Sequence, residues 1–237
     1  MRRHFRLCSL AGVDIRLHWT FLLMPVLFWF ALGARGLFLV GFVFTCVTLH
    51  ELCHSLQARR FGIEVTHIVL YPIGGVAQLR SFGTRPHEEF LTSVVGPLFN
   101  FVLAAVLFVP MYAWLGPAVL LDRQTMFRVS ADTWPRTFAS CFWINPLLGL
   151  FNLIPAFPMD GGRMLRSLLA TWLGLLRATR IAIMVGRVIM VGFVAVGILS
   201  NPWLLIIAVF LYVAGEREVA QVELLALLTR ARMAEQS

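Results

Sequence analysis

Three residues in the sequence are of the kinds that hold a metal ion and move a proton: His50, Glu51 and His54, in the run His50-Glu51-Leu52-Cys53-His54. On a helix, residues four apart lie on one face, one turn from each other, so both imidazoles reach a single ion. Glu51 is rotated by about 100° from His50 and reaches a water at that ion. This is the H-E-x-x-H geometry of zinc hydrolases, two nitrogen ligands beside a general base. Cys53 is near the same face, and its ordinary reading is a small buried thiol. Two histidines leave zinc short of the three protein ligands that a catalytic site uses. The candidate third ligand is Asp160, in Asn152-Leu153-Ile154-Pro155-Ala156-Phe157-Pro158-Met159-Asp160-Gly161-Gly162-Arg163. Pro155 and Pro158 must break a helix there. Gly161 and Gly162 permit an irregular turn, and Asp160 sits on the broken end.

The elements that must carry these residues follow from composition. Of 237 residues, 59% are hydrophobic and 14% are charged, and the mean hydropathy is +0.81. Soluble domains run at about 45–50% apolar and about 25% charged. A disordered chain is excluded, and the class indicated is an all-α polytopic membrane protein. Six apolar stretches can be drawn, over about residues 17–33, 37–58, 90–115, 138–157, 181–199 and 202–214. The whole of 1–237 reads as one integral-membrane domain. Residues 164–176 are apolar but too short to span, and suit a half-depth or interfacial helix. Residues 216–233 read as a Leu-rich helix, with Glu early and Arg late as the helix dipole favours. Between the second and third stretches, residues 63–79 are rich in β-branched side chains around Gly74-Gly75 and read as a short β-hairpin.

The His-Glu-His run stands near the end of the second stretch. Ionisable groups in an apolar span cost several kcal/mol unless paired or metal-bound. Unwound backbone at membrane depth, as around Pro155 and Pro158, survives only where protein buries it or it lines a wet cavity.

The net charge of +8 does not point to nucleic acid, because basic residues in a membrane protein first report orientation. With a cytosolic N-terminus and six spans, fifteen Arg fall on the cytosolic side and only Arg35, Arg123, Arg128 and Arg136 on the other. Both termini are therefore expected in the cytosol. Arg187 falls inside the fifth stretch and is expected to snorkel or to pair within the bundle. Cys8, Cys46, Cys53 and Cys141 show no paired spacing, so a disulfide framework is not expected.

The two motifs together, H-E-x-x-H in a transmembrane helix and N-x-x-P-x-x-P-x-D-G-G about 100 residues later, resemble the site-2 proteases, the intramembrane zinc metalloproteases. The resemblance implies one zinc ion per chain held by His50, His54 and Asp160. It implies Glu51 as the catalytic acid and base, and Asn152 as a residue that holds substrate or the oxyanion. Gly96-Pro97-Leu98-Phe99-Asn100 resembles the family's small-residue motif in the third span. Read from its type alone, Gly96 permits close helix packing and Asn100 offers a hydrogen bond. The segment 63–79 is similar to the family's hairpin near the active site, where an exposed edge can receive substrate as an added strand.

The expected activity is an intramembrane zinc endopeptidase. It would cut a transmembrane or membrane-proximal segment of another membrane protein. The chain has no room for a PDZ domain in its outer loops or for a nucleotide-binding domain after the sixth stretch, so it resembles a minimal catalytic core whose regulation calls for a membrane partner. The competing readings are a six-span metal-binding transporter, which needs no Glu directly after the first His, and a non-catalytic relative. The second is disfavoured by the presence of every active-site residue that the resemblance implies.

Overall fold

A computed structural model describes residues 4–72, 74–79, 85–127, 132–200 and 202–235. Ile73 of the hairpin, residues 128–131 of the outer loop, and Arg2, Arg3, Arg80 and Arg128 of the charge count lie outside the described residues. Four strands run β1 (His4–Leu10), β2 (Val13–His18), β3 (Val65–Tyr71) and β4 (Gly74–Leu79). Helices α1 (Leu23–Leu32) and α2 (Ala34–Arg60) lie between β2 and β3. After the sheet come α3 (Pro86–Leu115), the short α4 (Pro117–Leu120) and α5 (Arg123–Phe127), then α6 (Trp134–Asn152), α7 (Asp160–Leu173), α8 (Leu175–Leu199) and α9 (Trp203–Glu235). The packing divides into two compact units, one of residues 1–83 and 95–150, the other of residues 84–94 and 151–237.

In the first unit the strands form one sheet in the order β1-β2-β3-β4. The outer pairs are antiparallel. The central pair, β2 with β3, is parallel, which requires a long crossover, and α1 and α2 supply it. The hairpin expected over 63–79 is present as β3 and β4; the strands of β1 and β2 were not foreseen. In β2, Val13 and Ile15 are buried while Asp14 and Arg16 alternate with them, the period of a half-buried strand. In β3, Ile68, Val69 and Leu70 are all buried, as befits a strand covered on both faces. Val13, Ile15, Ile68 and Leu70 pack with Ala58 and Leu52 of α2, which seats the C-terminal half of that helix on the sheet. The end of α2 is closed by Gly62 at φ +77°, with Gly62 N donating to Arg59 O and Ile63 N to Ala58 O, a left-handed C-cap. Arg59 also donates to the Ala11 and Gly12 carbonyls, at 2.8 Å each, so the helix end holds the β1–β2 turn.

Among the described residues, three helices are long and apolar enough to cross a bilayer: α2, α3 and α8. The stretch 17–33 is apportioned differently. Its first residues pair in β2, His18 caps a 3-10 turn over Trp19–Leu22, and α1 keeps only 10 residues. The stretch 138–157 is helical to Asn152 as α6 and then breaks. The stretch 202–214 is the first part of α9, which continues unbroken through the separately drawn C-terminal helix.

In the second unit α7 packs on α8 and α8 on α9. Ala156, Met159 and Leu211 form one buried cluster, and Phe157, Ala182 and Ile183 another. Arg187 of α8 pairs with Glu216 of α9.

The tightest approach in the α1–α2 hairpin is at Gly36, where a Cβ would stand 2.1 Å from the Phe28 carbonyl oxygen. Backbone cannot yield as a side-chain tip can. Gly36→Ala is expected to lower stability by about 1–3 kcal/mol. Gly41→Ala, at a helix position with no atom within 4 Å, is expected to cost nothing. Denaturant titration of both variants in detergent, followed by helicity, checks this; equal midpoints would refute it.

Candidate active site

The first unit brings the two histidines together as the spacing requires. His50 and His54 stand one turn apart on α2, with their Nε2 atoms 3.1 Å apart and their rings at 81°. Tetrahedral zinc with Zn–N bonds of about 2.0–2.1 Å spaces two nitrogens by about 3.3 Å. The spacing of the pair therefore fits zinc. His50 is 3% exposed.

Asn100 of α3, wholly buried, supports this from behind. Its amide lies 2.9 Å from His50 Nδ1, with the amide nitrogen facing the ring. The Asn100 Oδ1 atom then has no partner although buried. Amide oxygen and nitrogen are set by the surrounding network. Exchanging them lets His50 Nδ1–H donate to Oδ1. It also leaves Nε2 unprotonated, the tautomer that a metal needs.

Gly96 lies one helical turn before Asn100, on the same face of α3. A Cβ there would stand 2.3 Å from His54 Nε2 and 2.7 Å from His50 Nε2. The glycine keeps open the space beside both Nε2 atoms, a use more specific than helix packing. Gly75 of β4 does the same for Glu51, since a Cβ there would meet its Cγ at 2.7 Å. Sequence reasoning placed Gly75 only in a turn. The spacing from Gly96 to Asn100 does carry the signal of a shared face; nothing local marks Gly75, because its neighbour is 24 residues away in the sequence.

Asn152 and Asp160 belong to the second unit. Asn152 is the last residue of α6 and is half-buried. Residues 153–159 are non-helical, as Pro155 and Pro158 demand. Asp160 is the first residue of α7 and is 8% exposed, at the helix end where the macrodipole stabilises a carboxylate. Gly161 and Gly162 do not form an irregular turn. Both lie within α7, and their bareness serves close approach: a Cβ on Gly161 would be 2.3 Å from Leu153 O, and one on Gly162 would be 2.7 Å from Ala156 C. The broken segment is thus laid directly on the start of α7.

The sequence model of peptidase family M50 matches residues 37–130 and 116–196. The chain is 34% identical over 229 residues to zinc metalloprotease MJ0392 of Methanocaldococcus jannaschii, covering 94% of this chain and 62% of that protein. It is 28% identical over 265 residues to Rip3 of Mycobacterium tuberculosis, covering 99% of this chain and 63% of that one. The chain thus spans a little over three-fifths of the length of these relatives. Among solved structures, the site-2 protease from Methanocaldococcus jannaschii superposes with a TM-score of 0.64 at 33% identity, covering 91% of this chain and 95% of that one. The match takes in both motifs, the histidine run of α2 and the aspartate that opens α7, and the chain belongs to peptidase family M50, the site-2 protease family.

Proposed function

We propose that this chain is an intramembrane zinc endopeptidase in which His50, His54 and Asp160 hold one zinc ion and Glu51 is the catalytic acid and base. The observation that carries the reading is the pair of Nε2 atoms 3.1 Å apart in front of a glycine with no side chain to fill the space. The buried carboxylate of Asp160 would complete a two-nitrogen, one-oxygen donor set, which suits zinc. Zinc supplies a Lewis acid that polarises the scissile carbonyl and acidifies water. Glu51 takes the proton of the attacking water and returns it to the leaving amine. Asn100 keeps His50 in the ligating tautomer, and Asn152 donates to the peptide carbonyl as it gains negative charge. The family matches run through residues of both compact units, which supports treating 1–237 as a single catalytic domain.

The substrate is a transmembrane or membrane-proximal segment of another membrane protein, released by cleavage under the control of a membrane partner. A helical segment hides its carbonyls in its own hydrogen bonds and must become extended before attack. Freed backbone groups cost several kcal/mol each in lipid unless a partner satisfies them. The strand β4 is an edge of the sheet, and its Gly75 lies against Glu51. An unwound substrate stretch added to that edge gains backbone partners beside the base. Substrate spans containing Gly, Pro or Asn unwind at lower cost and are the preferred class.

Glu51→Gln removes the base and leaves the ligands, so zinc is expected to stay near one per chain while cleavage of a co-expressed membrane substrate is lost. Asp160→Ala removes a ligand, so zinc affinity is expected to fall with activity. Metal analysis beside the cleavage assay separates the two, and an Asp160→Ala protein with unchanged zinc affinity would remove Asp160 from the ligand set.

Gly96→Ala puts a methyl group in front of both ligand nitrogens. It is expected to weaken zinc binding by about tenfold or more, measured by chelator competition. Unchanged affinity would show that the space at Gly96 is not the metal position.

The arginine distribution supports a cell-membrane protein with both termini in the cytosol. Fusion reporters after Arg85 and at the C-terminus are expected to report cytosol, and one within residues 122–132 the opposite side. Reporters at Arg85 and in that loop on the same side would refute this topology.

A further inference from the structure

Arg166 of α7 is 5% exposed. A guanidinium does not shed its charge, so its burial requires partners on every side. Its Nε donates to the Glu89 carboxylate at 2.9 Å, and Nη2 donates to the same oxygen. Nη1 donates to Glu218 of α9. Its guanidinium carbon lies 5.0 Å from the centre of the Phe157 ring, a cation–π distance. Glu89, Phe157, Arg166 and Glu218 all belong to the second unit. A planar fork held by two carboxylates and laid on a ring has one orientation.

The ring it holds belongs to the broken segment that leads into Asp160. Phe157 lies three residues before Asp160 and Arg166 six residues after it. Between them, Gly161 and Gly162 press the segment onto the start of α7, and Gly162 N donates to Met159 O. The turn and the first two turns of the helix are therefore closed into a loop at Phe157 and Arg166, with Asp160 at its apex.

We propose that Arg166 is a positioning residue for Asp160: anchored by Glu89 and Glu218, it clamps Phe157 and so fixes the direction in which the Asp160 carboxylate is presented to zinc. This rests on the reading of Asp160 as a ligand. A metal ligand must be held to within about 0.5 Å of its working place, and Asp160 opens a helix immediately after a proline-broken stretch, where backbone alone constrains it least.

The test uses the full chain in detergent, loaded with zinc, and follows zinc release to a chelator. A second readout is amide hydrogen exchange over residues 153–163 in the metal-free protein. Arg166→Met keeps the apolar stem and removes the fork; zinc release is expected to accelerate by about tenfold or more, with faster exchange over the segment. Arg166→Lys keeps the charge without the fork and is expected to fall between. In an Asp160→Ala background, Arg166→Met is expected to add nothing, because the route through which it acts is gone. Equal acceleration in both backgrounds would show general destabilisation and overturn the proposal. So would a folded Arg166→Met protein whose release rate and exchange match the parent. An Asp160→Ala variant with unaltered zinc release would instead overturn the ligand reading on which this one rests. Should Arg166→Met not fold, Phe157→Leu and Glu218→Ala each remove one contact. Release faster by about threefold or more in both supports the clamp, and anything less in either overturns it.

Discussion

Two imidazoles and a carboxyl group placed in one turn of an apolar helix cannot be left to lipid or to dry protein. Burying polar groups without partners costs several kcal/mol, and the first unit is built around meeting that demand at α2. His50 is backed by the Asn100 amide. His54 faces His50 at 3.1 Å. The lower half of the helix is fixed by apolar contact with the sheet through Ala58 and Leu52 and by Arg59 on the carbonyls of the β1–β2 turn. A helix that must aim two nitrogens at one point needs its rotation about its own axis fixed, and a sheet face against one side does that better than a single neighbouring helix.

The second recurring device is the absence of a side chain. Gly96 and Gly75 stand where any Cβ would occupy space needed by the histidines or by Glu51. Gly161 and Gly162 stand where any Cβ would strike backbone of the broken segment. None of these four has a positive φ, so left-handed backbone is not their use. They allow close approach: of α3 and β4 to the reactive groups of α2, and of a proline-broken stretch to the helix that Asp160 opens. The conformational entropy that glycine costs in a helix or strand, about 0.5–1 kcal/mol each, is accepted at these places because a larger residue would cost more.

The sheet has a second consequence. Its strand β3 is covered on both faces, while β4 is an edge strand among the described residues. An enzyme that hydrolyses a peptide bond taken from a helix must offer that backbone new hydrogen-bond partners where the chemistry happens. Gly75 brings the edge strand against the Glu51 side chain, the arrangement on which the proposed extension of a substrate beside Glu51 would rely.

Much of this was legible in the residues. The membrane class followed from composition, the histidine pair and its adjacent glutamate from a four-residue spacing, the break before Asp160 from two prolines, and the β3–β4 hairpin from β-branched residues around Gly74-Gly75. These are local properties, carried by neighbours within one or two turns. The tertiary structure decided the rest. The pairing of β2 with β1 and β3 drew Leu17 and His18 out of the stretch 17–33, because hydrophobicity alone does not distinguish a buried strand from a helix. The use of Gly75 against Glu51, of Asn100 against His50, and of Arg166 between Glu89 and Glu218 depends on contacts between residues 24 to 77 positions apart. No periodicity records such contacts, since each partner taken by itself is an ordinary glycine, asparagine or arginine on a helix or strand.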